Sequence, residues 1–202
     1  LQSKMFLKDV RCSDCHNAHS LKFIQDGNAL CLQCHRSDQY DTYSHHFHKM
    51  NGREQQPQDF NSPPQNIEGE GARCINCHMD GRYYMGVDYR RDHSFHIPRP
   101  DLSEKLGTPN ACTNCHVEQS AEWAASRVRD WYGRDLQGYQ RYAGALEAAR
   151  EGSPAAGTAL AKLARDNGTP AIARATATAG LGPYLDPATI DVITRGLAEE
   201  DP

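Results

Sequence analysis

The chain has 202 residues, with 22 Lys and Arg against 26 Asp and Glu for a formal net charge of −4. It contains no run of Lys or Arg, so it lacks the electrostatic footprint of a nucleic-acid or anionic-membrane binder. No apolar run approaches the roughly 18 residues of a membrane span.

Leu, Ile, Val and Phe together number 31 of 202, below the roughly one fifth under which a strongly charged chain stays disordered. With so small a net charge, the deficit predicts a core filled partly by something other than aliphatic side chains. The chain begins at Leu1 without Met or a charged-then-apolar leader, so a signal peptide is expected to have been removed or to lie outside this stretch. All eight cysteines and all ten histidines precede Val117, and the stretch after Ser120 has neither. Two architectures follow, with boundaries expected at 1–118, a connecting helix at 119–135 and a helical segment at 136–202.

In chain order the cysteines read Cys12-Ser-Asp-Cys15-His16, Cys31-Leu-Gln-Cys34-His35, Cys74-Ile-Asn-Cys77-His78 and Cys112-Thr-Asn-Cys115-His116. C-x-x-C-H is the haem c attachment pattern: two thiols add to the porphyrin vinyl groups and the following imidazole reaches the iron. Zinc sites, thioredoxin-like pairs and disulfides also use C-x-x-C. None of them requires His directly after the second Cys, as occurs here four times with no cysteine left over. Four covalent haems c in about 118 residues leave too little chain to wrap each one, so they must pack against one another. Their apolar macrocycles would make up the missing core.

Six further histidines are candidates for the opposite face of the irons: His19, His45, His46, His48, His93 and His96. His19 is too few residues from His16 to round the same porphyrin, so it is expected on the second haem. Two of His45, His46 and His48 are expected on haems one and three, ahead of a Pro-, Gln- and Asn-rich segment at 51–65. His93 is expected on haem four or three, with His96 as a further candidate and Asp92 or Asp101 accepting a ring N–H. Met5, Met50, Met79 and Met85 are read as packing residues, and Tyr83, Tyr84 and Tyr89 as rings against porphyrin faces.

Ser120–Tyr132 reads as an amphipathic helix with Trp123, Val128 and Trp131 on its buried face, stopped by Gly133 and packed on haem four. Beyond it, Ala- and Leu-rich runs break at Gly152-Ser153-Pro154, Asn167-Gly168-Thr169-Pro170 and Gly182-Pro183. The ends Gly168-Thr169-Pro170 and Glu200-Asp201-Pro202 suggest two helix-turn-helix repeats of a solenoid. A further repeat or another chain is expected to cover the open end. The fold class expected is mainly α with much irregular coil, a haem-packed module followed by HEAT-like helices, and little or no β-sheet.

The strings Val10-Arg11-Cys12-Ser13-Asp14-Cys15-His16-Asn17-Ala18-His19-Ser20 and Gly27-Asn28-Ala29-Leu30-Cys31-Leu32-Gln33-Cys34-His35 resemble the doubled C-x-x-C-H multihaem cytochromes. The similarity continues through His45–His48, Tyr84–Asp88, Arg90–Ser94 and Leu106–Cys112. The resemblance implies bis-histidine haems in a chain, export to the periplasm or beyond, respiratory electron transfer, and helical repeats after the module. It also implies further haem motifs upstream in related chains, whose irons the surplus histidines could serve.

Three functions are therefore weighed. One is an electron conduit working with other redox proteins or with identical subunits in a filament. Another is a multihaem enzyme with one open iron acting on a small nitrogen or sulfur compound, and the last is a repeat scaffold that recruits a protein partner. Distal histidines outnumber haems and no C-x-x-C-K variant occurs, which favours the conduit over an enzyme.

Overall fold

The computed structural model describes residues 3–51, 62–65, 67–137 and 140–198. Most of the 51–65 segment and all of Glu200-Asp201-Pro202 lie outside them. The chain divides into two compact units, Leu1–Leu136 and Gln137–Pro202. It is mainly helical, with one two-stranded hairpin among the described residues. None of the described helices is long and apolar enough to cross a membrane.

The first unit is built from very short helices joined by turns. These are α1 (Ala29–Leu32), α2 (Ser37–Tyr40), α3 (Tyr43–His46), α4 (Cys74–His78) and α5 (Pro100–Leu106), with α6 (Ala121–Tyr132) the one long helix. Helices of four or five residues are not self-supporting in water. Their apolar contribution is correspondingly thin: the buried hydrophobic residues of this unit are Leu30, Ala72, Ile75, Tyr89, Ala124, Ala125 and Val128.

The hairpin pairs β1 (Gly81–Tyr84) antiparallel with β2 (Asp88–Arg91). Its tip is Met85-Gly86, both at positive φ, as a tight hairpin turn requires.

Ser120 starts α6 by accepting the N–H of Trp123, and Gly133 ends it in the left-handed region with its N–H on the carbonyl of Arg129. The buried stripe differs from the sequence expectation. Ala124, Ala125 and Val128 face inward, where small side chains let α6 pack closely on α5, while Trp123 and Trp131 sit half-buried at the edge of the stripe.

The second unit is α7 (Ala143–Arg150), α8 (Ala156–Ala164), α9 (Ala171–Ala179) and α10 (Pro187–Leu197), each packed on the next. Its core is Leu160, Ala161, Leu163, Ala164, Ala177, Leu181 and Val192. Asp186 caps α10 reciprocally: it accepts the N–H of Thr189 at 2.7 Å, and its own N–H donates to the Thr189 hydroxyl at 2.8 Å. Leu160 has no exposed surface and belongs to this core. Leu160→Ala should lower stability by about 3 kcal/mol, read as a lower urea midpoint when helical circular dichroism is followed.

Candidate functional site

Each C-x-x-C-H segment is a single helical turn. Cys12–Asp14 and Cys112–Asn114 are 3₁₀ turns, and α4 is the third motif itself. The N–H of His16, His35 and His116 bonds back to the carbonyl of the first cysteine of its motif, at 2.8, 3.1 and 2.9 Å. Residues i, i+3 and i+4 of a helical turn share one face, so both thiols and the imidazole project together. No disulfide joins the eight cysteines, and among the described residues no three His, Cys, Asp or Glu side chains converge as a bare metal ion would require.

Three motif histidines face a histidine from a distant segment. The ring centres of His16 and His93 are 6.4 Å apart, and those of His48 and His116 are 6.2 Å apart. His45 and His78 are also 6.2 Å apart, with their planes within 14°. Two imidazoles bound on opposite sides of one metal ion, each nitrogen about 2.0 Å from it, have ring centres about 6.3 Å apart. The spacing of the pairs fits two rings that share one iron.

The backbone sets the tautomers. Nδ1 of His16 bonds the carbonyl of Leu21 at 3.0 Å, Nδ1 of His78 that of His96 at 2.7 Å and Nδ1 of His93 that of Arg91 at 3.0 Å. Nδ1 of His48 bonds the carbonyl of His46. A carbonyl can only accept, so each Nδ1 carries the proton and each Nε2 keeps its lone pair for a metal. His46 is reversed: its Nδ1 accepts the N–H of His48 at 3.1 Å, and the neutral ring then holds its proton on Nε2. Burial is the largest cause of the lowered pKa of His45, His78 and His116, which keeps these rings in the neutral form that binds metal.

The remaining candidates lie elsewhere. His35 meets Tyr40 edge-on at 5.6 Å, and Tyr40 in turn meets His45 at 5.4 Å. His19 sits on an exposed turn held by the Asn17 side chain, which accepts the N–H of His19 and of Ser20. Among the described residues no ring contact joins His19 to His35. His96 contributes its main chain, its N–H donating to the carbonyl of His78 and its carbonyl accepting from Nδ1 of the His78 ring, while its Nε2 lies 3.7 Å from Asp92. Asp92 caps the N–H of Ser94, and Asp101 is engaged by Arg99 through two bonds of 2.7 Å. The imidazole N–H groups go to carbonyls that no residue type advertises.

Tyr89 is buried against Gly81, whereas Tyr83, Tyr84 and Met85 are exposed. Met5, Met50 and Met79 are half-buried.

Residues 6–40 match the family model of the doubled CXXCH motif, and residues 30–96 match that of cytochrome c554 and c-prime. Over residues 6–96 the chain carries the signatures of a multihaem c-type cytochrome. It binds haem c covalently through its C-x-x-C-H motifs. The fourth motif lies beyond both matched stretches, which together cover just under half of the sequence. No curated protein matches the cytochrome significantly. The crystal structure of outer cell wall cytochrome OcwA is similar over 94% of this chain and 39% of its own, with 16% identity and a TM-score of 0.37. The cytochrome thus spans about two fifths of that chain's length.

Polar side chains tie the motifs of the cytochrome to one another. Asn28, ahead of the second motif, accepts the N–H of Cys74 at 3.0 Å and donates to the carbonyl of Ala72 and to Asp41. Cys31 hydrogen-bonds Cys74, which with burial pushes its thiol pKa up, and burial raises that of Cys77 to about 12. Arg91 reaches the carbonyls of Ile75, Met79 and Ser62, locking the strand before His93 onto the third motif.

Just before Cys74, Arg73 and Glu70 form a 2.7 Å ion pair with both side chains 6% exposed, and Asn76 donates to the same carboxylate. Removing one partner of such a pair leaves a buried uncompensated charge. Arg73→Met should therefore cost about 3–5 kcal/mol in denaturant titration, and the added Glu70→Gln change should restore part of that loss.

Proposed function

We propose that the cytochrome carries electrons through four covalently attached haems, exported to the periplasm or the cell exterior. Cys12, Cys15, Cys31, Cys34, Cys74, Cys77, Cys112 and Cys115 hold the porphyrins, and His16, His35, His78 and His116 hold the irons. His93 closes the first iron, His45 the third and His48 the fourth. The observation that carries this reading is the repeated 6.2–6.4 Å spacing of these three pairs. Bound haem supplies an iron that gains and gives up one electron. The chain fixes the imidazoles, so the ligand set need not rearrange when the charge changes.

The second site supports another reading. His35 has no histidine opposite it among the described residues, and His19 stands on a separate exposed turn. We assign the second iron an exchangeable sixth position, where a small nitrogen or sulfur compound could bind and be reduced or oxidised. The helices of the second unit, read as HEAT-like repeats, would serve to recruit a protein partner.

Pyridine haemochrome should count four haems per chain. In the reduced protein, carbon monoxide should shift the Soret band of one haem and leave three unchanged, and His19→Ala should not alter that pattern. Four haems indifferent to carbon monoxide would remove the open site and leave a closed conduit. An absence of haem would sink both readings.

A further inference from the structure

His45 and His48 belong to one short segment yet pair with imidazoles of two different motifs, and α6 holds that segment. Phe47, between them, has φ 55° and ψ 26°, a left-handed conformation that is uncommon for a bulky residue. It turns the chain so that the two flanking imidazoles diverge. Such a conformation persists only when its surroundings over-determine it.

Here the surroundings are the last turn of α6. The Trp131 ring lies parallel to Phe47, 4.9 Å between centres and within 5°. It also meets His48 edge-on at 6.0 Å. Tyr132 packs edge-on to Phe47 at 5.5 Å, and its hydroxyl donates to the carbonyl of His45. On the other side His48 lies against Gly71, where a Cβ would come within 2.2 Å of the imidazole. The same helix sets Trp123 at 4.9 Å from His116.

We propose that Trp131 and Tyr132 are positioning residues through which one helix sets the coordination of the third and fourth irons together. Trp131 holds His48 through Phe47 and by direct edge contact, and Tyr132 holds His45 through its carbonyl. The inference rests on the reading of His45 and His48 as iron ligands.

The test uses the haem-loaded full chain. Carbon monoxide uptake per chain and the low-spin electron paramagnetic resonance signals of the oxidised protein are compared for wild type, His45→Ala, His48→Ala, Trp131→Ala, Trp131→Phe, Phe47→Gly and Tyr132→Phe. His48→Ala is the reference and should add one carbon-monoxide-binding haem. Trp131→Ala should do the same with the haem count unchanged, losing one low-spin signal, and Trp131→Phe should restore it. Phe47→Gly keeps the backbone conformation, which glycine adopts freely, and leaves α6 intact. It should add one carbon-monoxide-binding haem, as His48→Ala does, even if Trp131→Ala fails to assemble. Tyr132→Phe should shift only the signal lost in His45→Ala.

If His48→Ala adds a binding haem while Phe47→Gly and Trp131→Ala do not, the clamp is overturned. If His48→Ala itself changes nothing, the ligand reading has failed and takes the clamp with it.

Discussion

A neutral imidazole has one N–H and one lone pair, and in this protein the main chain decides which nitrogen keeps which. Carbonyls of Leu21, Arg91, His46 and His96 take the Nδ1 proton of four histidines. Without those bonds, four of the six imidazoles in the three pairs would be free to exchange tautomers and rotate. The helical turns of the four motifs follow the same logic: each is just long enough to bring two thiols and an imidazole to one face, and none is long enough to stand alone.

Much of this was legible in the sequence, because it depends on local spacing. Four C-x-x-C-H strings specify thioether attachment, Ser120 and Gly133 bracket α6, and the poverty of aliphatic residues points to a core completed by porphyrin. The pairings were not legible. Sequence distance suggested His93 for a later motif, yet it faces His16. The geometry depends on the hairpin of β1 and β2 and on Arg91, a cation whose three carbonyl partners leave no trace in its neighbours' identities. Likewise nothing in His45-His46-Phe47-His48 tells which ring accepts rather than donates; that follows from Phe47 turning left-handed, and hence from Trp131, more than eighty residues away.

Long-range polar ties replace the large apolar core that the first unit lacks. Asn28 fastens the second motif to the third, and the Glu70–Arg73–Asn76 network fixes the entry to the third. Buried polar groups of this kind are costly when half satisfied and specific when complete. The second unit does the opposite: its alanines and leucines form the buried core, and it contains no cysteine or histidine.

The carbonyl bonds to Nδ1 are also unevenly distributed. In the first pair both imidazoles, His16 and His93, make one. An imidazole that shares its N–H with an acceptor is the more basic ligand, and basic ligands favour ferric over ferrous iron. On this ground the first pair would be the most basic of the three ligand sets, and an iron held between His16 and His93 would be drawn towards the ferric state more than its neighbours.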